Sequence, residues 1–331
     1  MARETSLRGE KAPGVWIVGA ALAGSLALAA AGTGEPPPPK PAPPSSQEAE
    51  GGGRFGETVE VRLAELYVVV TDAAGRPVPG LAKSDFVVRE GDVAQTLESA
   101  TDSRELPITV GLAVDTSASM FAKLGVVANA ARGLLEGLSR GRDRAFLVGF
   151  GPRPELVEPT TGDLFEVSDA LAGLEASGTT PLWASITYSL GELEKARGKR
   201  ALVLLSDGAD DDGSRAFADC YRKVRSVGAP VYLVIVNNEA ARSSGRDFQT
   251  RLFISRLERV AKAGGGRVYF VSTREDVGPV YRQIEAELRS AYLLTYYPQG
   301  RAASGEPGPV AVALARRGLK ARTVSSAPPA R

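Results

Sequence analysis

Residues 108–119 read ITVGLAVDTSAS, and this stretch decides the fold class of the chain. The run from Ile108 to Val114 is almost entirely apolar, as expected for a strand that is covered on both faces of a sheet. Its polar continuation, DTSAS at 115–119, then stands at the carboxyl end of that strand. Apolar residues recur with helical spacing over the next segment, 124–138. A buried strand followed by an amphipathic helix indicates the start of an α/β fold.

The alternation of strand and helix continues to residue 289. Further apolar runs predict strands at 145–150, 201–206, 231–236 and 268–271, and helical spacing predicts helices at 163–176, 182–196, 215–227, 253–263 and 277–289. A Gly-Pro-Arg-Pro turn at 151–154 leads into a short strand at 155–158, which can only return antiparallel. We therefore predict a doubly wound, mostly parallel six-stranded sheet with one antiparallel edge strand and helices on both faces, plus a small accessory β domain.

The N-terminal segment, residues 1–34, predicts a signal peptide or an N-terminal membrane anchor. Arg3, Arg8 and Lys11 precede an uncharged run at 15–31, which is the arrangement of secretory signals. The run lies between the lengths typical of a cleaved signal and of a membrane span, so cleavage stays open. We predict an exported protein, periplasmic or extracellular, that contacts the membrane only through this segment.

The segments around the α/β domain complete the predicted organisation. Residues 35–57 are rich in proline and glycine and predict a disordered spacer. Residues 58–104 predict accessory strands, residues 105–290 the α/β domain, and residues 291–324 further strands, before a disordered tail at 325–331. Because two or three strands are too few for a stable sheet, we expect the C-terminal strands to pair with the accessory ones.

The composition excludes several kinds of chemistry. The 331 residues include no histidine and one cysteine, Cys220, which excludes histidine-dependent nucleophiles, imidazole-bound zinc and an internal disulfide. The 40 basic and 39 acidic residues give a net charge of +1, so there is no electrostatic reason to expect a nucleic-acid partner. Any chemistry of this chain must therefore use oxygen ligands, lysine, arginine or the backbone.

Three polar segments are predicted to meet at one edge of the sheet. They are DTSAS at 115–119, GTTPL at 178–182 and LLSDG at 204–208. In a doubly wound sheet, ligands bind at the carboxyl ends of the strands. Alternate residues of an extended strand end project to one side, so Asp115, Ser117 and Ser119 can converge. Their carboxylate and hydroxyl oxygens suit a hard cation, with Mg²⁺ first and Ca²⁺ or Mn²⁺ as alternatives.

These segments resemble the metal-site segments of the von Willebrand factor type A domain, and the resemblance covers about residues 107–290. It implies five metal ligands: Asp115, Ser117, Ser119, Thr180 and Asp207. It also implies that an Asp or Glu of a protein partner completes the coordination of the cation. The wider pattern, including LRSAYLLTYYP at 288–298, is similar to bacterial exported proteins related to this family. The chain departs from the family pattern at Gly178-Thr179 and Trp183-Ala184, outside the ligand positions.

Structural roles for the same residues are the alternative. Ser117 or Ser119 could cap a helix that begins near Met120, and Asp207-Gly208 could be an ordinary turn. The acidic run at 210–212 lacks the spacing of a calcium-binding loop, and we interpret it as a solvated loop near the metal. The polar loop at 237–250 is interpreted as the rim that determines specificity.

The predicted function is that of a non-enzymatic adhesion or scaffold module whose divalent cation bridges to an acidic residue of a partner. One alternative is a metal-dependent hydrolase, and another is a scaffold with a purely structural metal. The hydrolase is less favoured because a carboxylate or lysine would have to act as general base, and no motif places one. Replacing Asp115 by alanine is expected to abolish cation binding and leave the fold intact.

Overall fold

A computed structural model describes residues 63–208, 210–236, 248–271, 274–300 and 310–327. The predicted leader and spacer, most of the rim loop and the last four residues lie outside this part of the chain. Within it, no helix is both long enough and apolar enough to cross a membrane.

Strands and helices follow the chain in the order that the sequence pattern indicates. The strands are β1 Ala64–Thr71, β2 Phe86–Glu90, β3 Val93–Gln95, β4 Leu97–Asp102, β5 Ile108–Asp115, β6 Arg144–Phe150, β7 Pro154–Thr161, β8 Lys199–Ser206, β9 Val231–Val236, β10 Val268–Val271, β11 Ala291–Tyr296, β12 Val310–Leu314 and β13 Lys320–Ala327. The helices are α1 Leu124–Gly137, α2 Leu164–Ala172, α3 Leu182–Glu194, α4 Gly213–Val227, α5 Phe248–Gly264 and α6 Arg274–Arg289.

The central sheet has six strands in the order β10-β9-β8-β5-β6-β7. Its strands are parallel except for β7, which returns antiparallel to β6 at the edge. Strand order reverses between β5 and β8, the central pair, and the carboxyl ends of these two strands carry the predicted site. The predicted fold class is therefore confirmed, including the antiparallel edge strand.

Both faces of this sheet are covered by helices because its strands are apolar on both sides. Val110, Leu112 and Val114 of β5 pack on the face that α1, α2 and α6 cover. Ala113 of the same strand belongs to the opposite core, beneath α3, α4 and α5. Gly111 makes room on that face, since a Cβ there would lie 2.3 Å from the ring of Phe146. Each fully buried aliphatic side chain contributes about 1.5–3 kcal/mol, so these two cores fix the strand ends firmly.

The accessory β region is built from both ends of the described chain. A four-stranded antiparallel sheet has the order β13-β1-β11-β4, and a three-stranded sheet has the order β12-β2-β3. The C-terminal strands β11 and β13 flank β1, and β12 pairs with β2. A shared apolar core that includes Leu66, Phe86 and Leu294 joins the two sheets. The α/β domain lies in sequence between β4 and β11, which are neighbours in one sheet.

Several element bounds differ from the predicted ones. β3 and β4 were not predicted, because a segment such as LESATD in β4 is too polar to indicate a strand without its partner β11. α2 ends at Ala172, four residues early, because the next residue, Gly173, forms its C-terminal cap. β13 runs to Ala327, three residues past the predicted end at 324.

Candidate functional site

Asp115 is the buried centre of the predicted site. It ends β5, its exposed fraction is 0%, and its carboxylate accepts two hydrogen bonds. Oδ1 accepts from the backbone N–H of Ser117 at 2.8 Å, and Oδ2 accepts from the hydroxyl of Ser206 at 2.6 Å. Burial raises the pKa of Asp115, and the negative charge of Asp207 adds to that effect. The bond to Ser206 joins the ends of β5 and β8.

Ser117 and Ser119 face each other at the start of the next segment. Their hydroxyl oxygens lie 3.1 Å apart. Ser117 precedes a short 3-10 turn, Ala118–Met120, but its side chain makes no capping hydrogen bond. Helix α1 begins later, at Leu124, and the residue before it is Lys123. Ser117 therefore stands at the cap position of this turn, as the alternative interpretation expects, but it does so without a side-chain capping bond.

The threonine loop docks against this segment through its backbone. Ser177 N donates to Thr116 O at 2.6 Å, and Ala118 N donates to Gly178 O at 3.1 Å. Gly178 has a φ of +76°, and a Cβ there would lie 2.4 Å from the Pro152 ring, so glycine is required. Thr180, two residues further on, has an exposed fraction of only 2%. The loop therefore brings Thr180 to the edge that carries the two serines.

The acidic run at 210–212 holds the threonine loop and the start of α3. Each carboxylate accepts one hydrogen bond from that region: Asp210 Oδ2 from Trp183 Nε1 at 2.6 Å, Asp211 Oδ2 from Thr180 N at 2.8 Å, and Asp212 Oδ2 from Ala184 N at 2.7 Å. Asp211 N also donates to Thr180 O at 3.0 Å. The run is accessible to solvent, as interpreted from the sequence, but its carboxylates are also anchored to the protein.

Asp207 is less completely paired than Asp115. It follows β8, and its side chain is 8% exposed. Oδ2 accepts a hydrogen bond from Lys123 Nζ at 2.8 Å, whereas Oδ1 is buried and has no hydrogen-bond partner among the described residues. The next residue, Gly208, has a φ of +89° and donates its N–H to Ser206 Oγ at 3.1 Å. This turn directs Asp207 into the site.

The donor set fits a hard cation that needs few protein charges. Within the described ranges, no group of three or more His, Cys, Asp or Glu side chains could hold a metal ion. A cation here would depend on two carboxylates together with the hydroxyls of Ser117, Ser119 and Thr180, which are ligands that Mg²⁺ accepts. The unpartnered Asp207 Oδ1 is the oxygen most in need of such a ligand.

The sequence prediction missed the side-chain roles of two residues of the site. Ser206 lies inside the quoted LLSDG segment, but only the pairing of β8 with β5 shows that its hydroxyl binds Asp115. Lys123 has no motif signal, since its role follows from where α1 begins. The structure also changes the expectation for Asp115→Ala. Because Asp115 is buried and accepts two hydrogen bonds, its loss would disturb the fold as well as the site.

Fold and site together define a doubly wound α/β domain with an oxygen-rich cluster at the strand ends. Residues 110–209 match the family model of the von Willebrand factor type A domain. A UPF0353 protein of Nocardia farcinica is 24% identical over 264 residues, which are 69% of this chain and 78% of that protein. Domains of this family are typically protein-interaction modules.

Two solved structures align with part of this chain. The von Willebrand factor type A protein from Catenulispora acidiphila aligns with a TM-score of 0.46 and 16% identity, over 71% of this chain and 52% of that one. The PilB minor pilin from Streptococcus sanguinis aligns with a TM-score of 0.43 and 15% identity, over 56% of this chain and 62% of that one. The chain therefore spans less than two thirds of the length of either structure.

Proposed function

We propose that this protein is an exported, non-enzymatic module that captures a protein partner through a divalent cation. The observation that carries the proposal is the buried Oδ1 of Asp207, which has no hydrogen-bond partner in the described part of the chain, beside a cluster of hydrogen-bonded oxygens. A buried carboxylate oxygen without a partner is costly, and a cation would relieve that cost. The type A domain match supports the binding role, and the basic and apolar N-terminal segment supports export.

The cation would be held by the predicted set: Asp115, Ser117, Ser119, Thr180 and Asp207. When bound, Mg²⁺, or Ca²⁺ or Mn²⁺ in its place, supplies positive charge that attracts a carboxylate from an Asp or Glu of the partner. The chain's own residues prepare the place. Ser206 fixes the carboxylate of Asp115, and Asp211 fixes the backbone of Thr180. The three segments are therefore held in position before any ligand arrives.

A metal-dependent hydrolase is less well supported. Such an enzyme needs a general base within reach of the cation. Both oxygens of Asp115 already accept hydrogen bonds, and Asp207 is paired with Lys123. The carboxylates of the acidic run are bonded to the threonine loop and α3. The carboxylates gathered at this edge are thus committed to structure or to the cation, which favours binding over catalysis.

The decisive variant is Asp207→Asn, because this side chain has one protein partner and its loss should spare the fold. We expect the variant to lose Mg²⁺ and Mn²⁺ binding by calorimetry and to lose cation-dependent partner capture from envelope extract. The matched control is Asp219→Asn, an exposed carboxylate on α4 that pairs only with the exposed Arg222 in the described structure. Undiminished Mg²⁺ affinity in Asp207→Asn would contradict the site. Capture that survives a chelator would contradict the cation bridge.

A further inference from the structure

The strand-end site contains a cation of its own, the ammonium of Lys123. Its Nζ lies 2.8 Å from Asp207 Oδ2, and the side chains are 25% and 8% exposed, respectively. The backbone of Lys123 is fixed, because its N–H donates to Met120 O and its carbonyl accepts from Val126 and Val127 at the start of α1. The lysine therefore does not reach the site from a free loop. The first residues of α1 place it there.

The ion pair engages only half of the Asp207 carboxylate. Oδ2 accepts a hydrogen bond from the ammonium, whereas Oδ1 is buried and has no partner among the residues that the structure describes. A pair that serves stability alone typically satisfies both oxygens, as at Asp143, where Oδ1 accepts from Ile108 N at 3.1 Å and Oδ2 from Ser139 N at 2.7 Å. The open oxygen leaves Asp207 able to bind a second cation while Lys123 stays within contact distance.

We infer that Lys123 is a tethered competitor of the divalent cation and sets the cation affinity of this site. This inference rests on the proposed function. The carboxylates of Asp115 and Asp207 bring two negative charges, and the ammonium reduces the total to one. A divalent cation at Asp207 must either displace the ammonium or bind beside it against the repulsion of like charges. Both routes lower the apparent affinity below that of the oxygens alone.

Because of this competition, the site binds a divalent cation only when the concentration of that cation is high enough. Without a divalent cation, the ammonium of Lys123 neutralises the charge of Asp207 and so offsets the repulsion between the carboxylates of Asp207 and Asp115. With one, the ammonium is released toward solvent, which its partial exposure allows. Partner capture would then follow the concentration of the cation rather than remain permanently on. Lys123 thus determines the cation affinity of the site. Its charge stabilises the cation-free protein and destabilises the cation-bound one.

The test is calorimetric titration of the full chain with Mg²⁺ and with Mn²⁺. We expect Lys123→Gln to bind both cations about three- to tenfold more tightly than the natural chain, the range expected when a partly buried ion pair is removed from competition. The matched control is Lys195→Gln, which removes one charge from a 70% exposed side chain at the far end of α3, about 20 Å along the helix. The control should bind within about twofold of the natural chain.

Thermal unfolding separates this role from a merely structural one. Without divalent cations, Lys123→Gln should unfold at a lower temperature than the natural chain, since Asp207 loses its counter-charge. Added Mg²⁺ should raise the unfolding temperature of the variant more than that of the natural chain. Lys123→Arg keeps the charge and should show no tighter binding. A structural lysine would lower stability without tightening cation binding.

Each outcome decides between the two proposals. Equal or weaker cation affinity in Lys123→Gln would overturn the role of Lys123, even if partner capture proves cation-dependent. Tighter binding without any cation-dependent capture would support the role of Lys123 and refute the proposed function. Absence of binding heat in both proteins would overturn both.

Discussion

In the six-stranded sheet, the edge formed by the carboxyl ends of the parallel strands and the opposite edge, formed by their amino ends, each contain a buried aspartate. The two aspartates differ in how completely their carboxylates are paired. Asp115 at the carboxyl edge and Asp143 at the opposite edge are both 0% exposed. Asp143 accepts hydrogen bonds from the backbone of Ile108 and Ser139 and from the guanidinium of Arg289. Asp115 accepts from one N–H and one hydroxyl, and its neighbour is another carboxylate, Asp207, rather than a cation.

The pKa values of the two carboxyls shift in opposite directions. Burial alone would raise the pKa of Asp143, but the bonds from Arg289, Ser139 and Ile108 outweigh it and hold the pKa below its usual range. At Asp115, burial raises the pKa, and the charge of Asp207 acts in the same direction. The opposite edge, called the closed edge, thus holds a carboxylate that is paired within the protein and stabilises the fold. The carboxyl edge, called the open edge, brings two carboxylates together with the ammonium of Lys123, which offsets one of the two negative charges and leaves the other.

The largest effect on stability should come from the closed edge. Asp143→Ala would leave Arg289 half-buried without its partner and two backbone N–H groups without an acceptor. We expect a loss of about 3–5 kcal/mol in the free energy of unfolding, measured by urea denaturation. Asp207→Asn at the open edge should cost less than about 1 kcal/mol in the absence of cations. Equal losses at the two sites would break the distinction between the edges.

A second prediction concerns Lys199, which is 4% exposed at the closed edge and donates to Ser103 Oγ at 2.9 Å. Burial, reinforced by the charge of Arg289, lowers its pKa from 10.5 to about 8. Between these values the unfolded chain binds more protons than the folded one. The free energy of unfolding should therefore rise with pH from 8 toward 9.5, by up to about 1.4 kcal/mol per pH unit.

Lys199→Met is the variant that isolates this contribution. It should show a flatter dependence of unfolding free energy on pH over the same window, measured by denaturant titration at several pH values. Lys195→Gln, at an exposed position on the same side of the sheet, should keep the slope of the natural chain. A slope that survives in Lys199→Met would assign it to another group.

A small effect is expected at the acidic run. Asp212 Oδ2 accepts from Ala184 N in the first turn of α3 and so acts as a helix cap from a distant loop. Asp212→Ala should cost about 1 kcal/mol in unfolding free energy. Cation affinity should fall only modestly, because Thr180 is still held by Asp211. Hydrogen exchange of the amides at the start of α3 reports the loss directly, and unchanged protection there would contradict the capping role.

The comparison of the edges also shows what sequence patterns can reveal. The central residues of β5, β8 and β9 are apolar because each strand is buried on both faces, so these strands can be predicted without knowledge of any partner. Strand β4 is polar and exists through its pairing with β11, nearly two hundred residues away in sequence, which no local pattern records. The burial of a strand can be predicted from its own sequence, whereas its pairing partner cannot.

The candidate site divides in the same way. The sequence by itself determined the α/β class and the three polar segments, because strand ends and their polar continuations are local features. The five oxygen-bearing residues within those segments were singled out by the resemblance to the type A domain and stay a prediction. Only the tertiary structure decided that Ser206 binds Asp115, that the acidic run anchors the threonine loop and that Lys123 pairs with Asp207. The physical reason is that each of these contacts joins different elements, and its geometry depends on where helices begin and loops return. The absence of histidine in the sequence restricted the site to oxygen ligands, and the fold determined which of those oxygens is left unpaired.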